Sequence, residues 1–416
     1  MRLLFFGDMS RTGFGTVTMD LGRELLELGH DLRFVSQNEL DDVLPEPFES
    51  RTWRVDDPAL FLPELAEGGE VQGLGRTSLA MRSEGYIGFF NGTFWRDGWT
   101  PEACLVLGDP GNVRLMIMRD EHTRAAFSSL PVYHYVPIEG IDLPPTLREM
   151  WSFVHPVAMT EFGADEIAKV TGYRPPMVYH GVDTGAFHPV SPERMLVVNG
   201  RKLRSKADCK RLFGRSGRWI LRTDRNVVRK RYPELFRAMA PVLAERPDTT
   251  LVVHASRMDM GGDLEDSLAK YPPRIRAQIV VTDAGGRLDR SMLVALYNAA
   301  DVYVSNSAEG FGLTLAESLA CGTPAVGIDY SAVPEVIGPG GVVTPIASLL
   351  DNEYGYFWAA ANQKAMGDAV ASLLDNEPER KRLGRAGVAH VRASFQWSTA
   401  ARQFSELMSV PLEAVA

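Results

Sequence analysis

The sequence predicts an α/β protein made of two Rossmann-like domains, each a parallel sheet covered by helices. Three observations lead there. Short apolar, β-rich runs alternate with helical patterns, as in βαβ units. The alternation occurs twice along the chain, with six candidate strands in each half. The chain also has 416 residues, beyond the size at which one core stops growing, so two domains of about 200 residues each are expected.

The first set of strands is RLLFFGD, LRFVSQ, ACLVLGD, PVYHYVP, FVHPVAMT and PMVYHG. The opening strand runs into MSRTGFGT and then a helix with apolar Val17, Leu21, Leu25 and Leu28. This order of strand, glycine turn and helix draws attention to Gly13, Phe14 and Gly15. Their spacing is not GxGxxG, so the residues alone fit an ordinary tight turn equally well. The segment from Gln37 to Leu130 is rich in aromatics, among them Trp53, Tyr86, Phe94, Trp95 and Trp99. Such rings stack on sugars or fill cores. Trp95 is carried as an acceptor candidate together with Asp109, which ends ACLVLGD. Ligands of open α/β sheets gather at the carboxyl ends of strands, and a helix N-cap accounts for Asp109 equally well.

Gly, Pro and polar residues accumulate in HGVDTGAFHPVSPER, between Gly181 and Arg194. The boundary is set there, giving a first domain of residues 1–188, a second of 189–395, and a final helix of about 396–416 returning to the first. His180, Asp183, Phe187 and His188 read as architectural. The second set of strands is WILRTD, LVVHAS, QIVVTD, DVYVSN, PAVGID and GVVTP. After the first comes RTDRNVVRKRYPELFRAM, within a stretch from Arg201 to Arg231 holding thirteen Lys or Arg against Asp208 and Asp224. A local anion site is implied, since guanidinium forks and ammonium groups are the cations that bind anionic oxygens. Part of this charge also reads as a solvated helix face.

After DVYVSN comes EGFGLTLAE, from Glu309 to Glu317. It places Gly310 and Gly312 at a helix N-terminus, where unpaired N–H groups and the helix dipole suit an anion. The two glutamates, eight positions apart, span about 12 Å along a helix, roughly the distance from sugar to ribose in a nucleotide sugar. In isolation the pair would read as a loop carboxylate and an exposed helix residue.

Composition fits an enzyme with real cores. Hydrophobic residues make up 45% and the net charge is −9, which argues weakly against a nucleic-acid binder. No apolar run approaches the roughly 20 residues of a membrane span, and MRLLFFGD turns polar too soon for a signal peptide. A cytoplasmic protein is expected, with peripheral membrane association left open. Cys104, Cys209 and Cys321 are an odd, scattered set that fits reduced thiols, and no metal cluster is seen.

EGFGLTLAE, preceded by a strand ending in a small polar residue, resembles the signature of retaining, GT-B-fold glycosyltransferases of the GT4 family. The resemblance extends to MSRTGFGT, to the block from Val157 to Val190, to RTDRNVVRKRYPELFRAM and to the terminal FQWSTAARQFSEL, covering roughly residues 1–36 and 131–340. It implies a GT-B fold, two Rossmann-like domains with parallel sheets facing across a cleft and a C-terminal helix crossing back to the first. It implies that Arg225 and Lys230 stabilise the departing diphosphate. Glu309 would meet the donor sugar and Glu317 the ribose, Gly310, Phe311, Gly312 and Leu313 would present backbone amides, and Gly13, Phe14 and Gly15 would lie near the donor diphosphate as candidate phosphate neighbours. The family's glycine after the lysine is absent, because Arg231 stands there.

The expected activity is transfer of a sugar from a nucleotide sugar, UDP- or GDP-linked first, to an acceptor hydroxyl with retention of configuration. Neither a metal nor a resident cofactor is expected. Carbohydrate or small-molecule acceptors rank first, with protein, lipid-linked or modified nucleic-acid acceptors left open. The alternatives are a nucleotide-sugar epimerase or phosphorylase of the same fold, or a nucleotide-sugar-binding protein without turnover.

Overall fold

The computed structural model describes residues 1–10, 12–36, 43–54, 98–118, 121–283 and 288–410. The chain divides into two compact units. Unit 1 comprises Met1–Ile138, Leu143–Gly181 and Trp397–Ala416, and unit 2 comprises Glu139–Asp142 and Val182–Gln396.

Unit 1 contains β1 (Arg2–Gly7), β2 (Asp31–Ser36), β3 (Thr52–Arg54), β4 (Ala103–Leu107), β5 (Val132–Val136) and β6 (His155–Ala158). They form one parallel sheet in the order β3-β2-β1-β4-β5-β6. β4 and β5 are buried at every position, as strands covered on both faces must be, which is why they read as continuous apolar runs. The helix Gly13–Glu27 packs on the helix Trp397–Ser409. The latter buries Trp397, Ala400, Ala401, Phe404 and Met408, a three-to-four spacing that puts them on one stripe.

Five of the six strands expected in this half form. The sixth differs: PMVYHG makes only an isolated bridge between Met177 and Ala158, and β3 supplies the sixth strand instead. Pro175 and Pro176 have no N–H to give, so the segment joins β6 through two bonds alone, Ala158 N to Pro176 O and Val178 N to Ala158 O, each 2.9 Å.

Unit 2 begins with the hairpin β7 (Leu196–Val198) and β8 (Arg201–Leu203). It continues with β9 (Arg218–Thr223), β10 (Thr249–Ala255), the short hairpin β11 (Met258–Asp259) and β12 (Gly262–Asp263), β13 (Ile279–Asp283), β14 (Val302–Ser305), β15 (Ala325–Ile328) and β16 (Gly341–Thr344). A last hairpin joins β17 (Ile346–Asp351) to β18 (Phe357–Ala361). The main sheet is parallel in the order β13-β10-β9-β14-β15-β16. All six expected strands of this half are present. Renumbered within each unit, both sheets have the doubly wound order 3-2-1-4-5-6, whose ligands bind where the winding direction reverses. In unit 2 that point lies beyond the ends of β9 and β14.

The units part between Gly181 and Val182, earlier than the boundary read from the sequence at residue 188. Residues 182–188 are tied into unit 2: Val182 N donates to Phe395 O at 3.0 Å, and Asp183 accepts from Arg290 at 2.9 Å. Gly181 belongs to the other side, because a Cβ there would lie 2.2 Å from Trp397 N. The excursion Glu139–Asp142 into unit 2 had no sequence signal.

Candidate functional site

β9 ends at Thr223 and hands the chain to Asp224, Arg225 and Asn226, while β14 ends at Ser305 and hands it to Asn306, Ser307, Ala308 and Glu309. Neighbouring strands at the reversal point therefore deliver the basic block and the first glutamate to one place. Lys230 is 5% exposed and Glu309 5%, and the ammonium donates to both carboxylate oxygens at 2.6 and 2.7 Å. It also lies 2.7 Å from Asp224 Oδ1. Ser307 Oγ donates to Glu309 Oε1 at 2.9 Å, and Glu309 N donates to Ser331 Oγ at 2.9 Å.

Arg222 and Arg229 complete the cluster. Arg222, fully buried on β9, donates to Val304 O at 3.1 Å and Ser307 Oγ at 2.8 Å. Its Nε lies 2.9 Å from Asp224 Oδ2 yet makes no aligned hydrogen bond, so the contact is an ion pair. Arg229 lies 3.6 Å from Glu309 Oε2 and 3.0 Å from Glu139 Oε1. Burial alone would raise the Glu309 pKa, but Lys230, Arg229 and Arg222 outweigh it and hold the carboxyl at about 2. For Arg222, burial is the largest influence and opposes the charge, while Asp224, Tyr303, Tyr232 and Glu309 together raise its pKa above the ordinary value. The site thus keeps ionised groups in a place that excludes water, where charge acts strongly.

Arg225 sits apart from this cluster. Its guanidinium grips Asp259 on β11 at 2.8 and 3.1 Å, and its side chain is 62% exposed. The cations that touch Glu309 are Lys230, Arg229 and Arg222. Arg231, where the resembling family has glycine, adopts the left-handed conformation with φ +52°. The turn after Lys230 requires that shape, which glycine takes without cost and arginine does not. Pro233 then starts the helix Tyr232–Glu245.

Glu317 lies on the helix Leu313–Ala320, which has Gly312 at its N-cap with φ +97°. A Cβ on Gly312 would meet Leu315 Cδ1 at 3.0 Å and Glu309 Cβ at 3.5 Å, so the loop needs glycine for both conformation and space. Phe311 turns inward onto Phe395, with ring centroids 5.1 Å apart. Glu317 is 9% exposed and accepts from Tyr297 Oη at 2.8 Å. Tyr297 Oη also meets Thr223 Oγ1 at 2.9 Å, linking the second glutamate to the end of β9. Burial raises the Tyr297 pKa and the Glu317 charge raises it further, so the phenol stays a donor.

In unit 1, Thr12 caps the helix Gly13–Glu27 by accepting from Gly15 N at 3.0 Å, and its hydroxyl donates to Asp8. A Cβ on Gly15 would lie 1.7 Å from Ser10 O. The turn itself therefore explains Gly15, whose N–H is already used, while Gly13 is exposed and Phe14 partly so. Asp109 occupies the N-cap position of the helix Pro110–Ile117 without a side-chain capping bond, and Asn112 Nδ2 is 3.5 Å from its carboxylate. Trp95 lies outside the described residues. The described cysteines are free and buried. Among the described residues no group of three His, Cys, Asp or Glu could hold a metal ion, and no helix is long and apolar enough to cross a membrane.

Asp224, Ser307, Arg222, Glu139, Tyr297 and Ser331 were not singled out from the sequence. Arg222 had a readable signal, since an arginine inside an apolar parallel strand must find partners. Glu139 had none.

Residues 218–390, which contain the cluster, match the family model described as glycosyl transferases group 1. Over nearly its whole length the chain is similar to the MMP alpha-(1->4)-mannosyltransferase of Mycolicibacterium hassiacum, 23% identical with 97% of this chain and 96% of that protein covered. It is 25% identical to the GDP-mannose-dependent monoacylated alpha-(1-6)-phosphatidylinositol monomannoside mannosyltransferase of Corynebacterium glutamicum, over 55% of this chain and 54% of that protein. It is 36% identical to the D-inositol 3-phosphate glycosyltransferase of Corynebacterium glutamicum, over 28% of this chain and 25% of that protein. The chain thus spans about half or less of those last two relatives. The sucrose-phosphate synthase of Thermosynechococcus elongatus superposes with a TM-score of 0.73 at 16% identity, with both chains fully covered. A glycosyltransferase from Rickettsia africae does so at 0.65 and 13% identity, over 98% of this chain and 97% of that one. These likenesses show the fold, which is GT-B.

Proposed function

We propose that this chain is a glycosyltransferase of the group 1 type that moves a sugar from a nucleotide-sugar donor to an acceptor hydroxyl with retention of configuration and without a metal. The observation that carries the reading is the buried Lys230–Glu309 pair at the reversal point of the unit 2 sheet, inside the family-matched segment. In the reaction the bond from the sugar C1 to the diphosphate oxygen breaks and a bond from C1 to the acceptor oxygen forms. The hydroxyl proton passes to the departing phosphate, so no separate general base is needed.

Lys230 and Arg229 meet the negative charge developing on the leaving group, and Arg222 fixes Ser307 and Asp224 around them. Arg225, on an exposed side chain, leaves Asp259 to join them when donor arrives. Glu309 orients the sugar and Glu317 the ribose, with amides of Gly310, Phe311, Gly312 and Leu313 beside the phosphates. Gly13 and Phe14 are proposed as further donor contacts and Asp109 as an acceptor contact. The relatives named as mannosyltransferases favour a GDP-linked sugar, with UDP second, and a carbohydrate, inositol-type or lipid-linked acceptor.

The test is nucleotide release from UDP-, GDP-, ADP- and dTDP-sugars, with and without EDTA. One donor should be turned over, insensitive to EDTA, and Glu317→Ala should lower the rate by at least about a hundredfold. An unchanged rate in that variant would sink the role of Glu317, and EDTA sensitivity would sink metal independence. Failure of every donor to bind would remove the transferase reading.

A further inference from the structure

We infer that the β17–β18 hairpin of unit 2 is a carbohydrate-binding element, with the Tyr354 ring as the stacking face for a sugar and Trp358 Nε1 and Asn352 Nδ2 as donors to its hydroxyls. The inference rests on the transferase reading for its role, which is to hold the acceptor sugar. The sequence YGYFW places Tyr354 and Tyr356 in the turn that leads into β18 and Trp358 within that strand. Tyr354 and Tyr356 stack with centroids 6.1 Å apart and planes at 23°. Trp358 meets both rings edge-on, at 6.3 and 6.4 Å. Tyr354 is 45% exposed, whereas Tyr356 and Trp358 are each 8% exposed. An exposed ring backed by two buried ones is a fixed, flat platform, which is what a pyranose face needs.

The second observation is independent of the rings. Asn352 Oδ1 accepts from Tyr354 N at 2.8 Å and Tyr356 N at 3.4 Å, which orients the amide and makes Nδ2 the remaining donor. Asn352 Nδ2 and Trp358 Nε1 are both buried without a hydrogen-bond partner. Two buried donors on one hairpin without a protein acceptor call for acceptors from outside the chain, which the hydroxyls of a sugar would supply. A sugar presents an apolar C–H face and hydroxyl oxygens together, whereas a flat apolar ligand would satisfy only the rings.

The hairpin is also fixed to the reacting loop. Tyr330 Oη donates to Phe357 O at 2.5 Å and accepts from Ile141 N at 3.1 Å. The next residue, Ser331, holds Glu309 N. Sugar bound at Tyr354 is therefore positioned by the same short segment that positions Glu309.

The test measures binding of methyl α-D-mannopyranoside and maltose to the full chain by saturation-transfer NMR, in the native protein and in Tyr354→Ala, Tyr354→Trp and Trp358→Phe. Unchanged melting temperatures serve as the fold control, and donor turnover by the native protein is recorded in parallel. At least one probe should bind, Tyr354→Ala should weaken it about tenfold, Tyr354→Trp should retain it, and Trp358→Phe should weaken it less than Tyr354→Ala. Equal affinity in native and Tyr354→Ala protein, or no binding of either probe, overturns the proposal. So does a concentration-dependent dimer that Tyr354→Ala dissolves, which would make the hairpin a self-contact. Probe binding lost in Tyr354→Ala, in a protein that turns over no donor, would keep the sugar site and remove the acceptor role.

Discussion

The two units share a strand order yet centre on different buried groups. In unit 1 two fully buried histidines are held neutral, while its buried Asp20 and Glu166 are ion-paired to Arg23 and Lys169. His134 sits fully buried between Gly108 O and Trp151 Nε1, and burial lowers its pKa to about 4 despite the backbone bond. His180, against Tyr135 Oη at 2.7 Å, is lowered by burial to about 3, and burial raises the Tyr135 phenol. At the reversal point of unit 2 the buried Arg222 and Glu309 keep their charges because opposite charges lie within reach, with Asp224 and Lys230 among the ion-pair partners. Burial without a partner removes charge, and burial with a partner retains it. A cluster that retains charge at a sheet's reversal point is the stronger mark of chemistry.

The largest test of this contrast is Lys230→Met. It would take the nearest cation from Glu309 and leave that carboxylate only Arg229 and Arg222 at 3.6 and 3.9 Å, costing up to about 3–5 kcal/mol, and it would lower transfer by about three orders of magnitude. Chemical unfolding and donor turnover measure the two effects, and a stable, active variant would show that the pair is ornamental.

Acid titration comes next. His134 and His180 have folded pKa values below the ordinary 6.5, so the unfolded chain takes up protons first. Their stabilisation is complete above about pH 6.5 and falls as pH drops toward 4 and 3. Glu309, depressed to about 2, acts in a lower window, its contribution present above about pH 4.5 and lost toward 2. Calorimetry between pH 7 and 4 should show stability falling with pH, and His180→Gln should flatten that slope. A pH-independent melting temperature across this range would contradict the neutral-storage account.

A smaller effect separates glycine-like geometry from charge. Arg231→Val, a β-branched residue at φ +52°, should cost about 1–2 kcal/mol, while Arg231→Gly should be at least as stable as the native protein. The order Gly, Arg, Val in melting temperature checks it. Smallest in stability is Arg225→Ala, worth under about 1 kcal/mol because the Asp259 pair is exposed. If Arg225 swings to the donor, the same variant should still lose about a hundredfold in turnover. Loss of neither would leave Arg225 as a surface pair.

Much of this was legible because burial on both faces of a parallel sheet forces continuous apolar runs. Eleven of the twelve expected strands form, and Glu309 and Lys230 lie together because β9 and β14 adjoin. The exception, PMVYHG, had the apolar composition of a strand but spends its prolines where donors are needed. β3 is three residues long, too short to carry a pattern. Arg225 matched by spacing, yet spacing along a loop does not fix side-chain direction, and Asp259 captures it. The Arg229–Glu139 contact was unreadable, since its partners are drawn from distant parts of the chain and only the folded path brings them together.

Ile141 and Phe357 bond each other in both directions, N to O at 3.3 and 3.0 Å. A polypeptide beginning at Val182 would lack this early segment. It would leave the outer edge of β18 open and Arg229 without Glu139, so the second unit produced alone inherits a bare strand edge of the kind that invites aggregation. During synthesis the order is reversed: the short segment emerges first and waits for about two hundred further residues before its partner exists. Completion of unit 2 is thereby a late, non-local event, slow in the way that closing any long loop is slow.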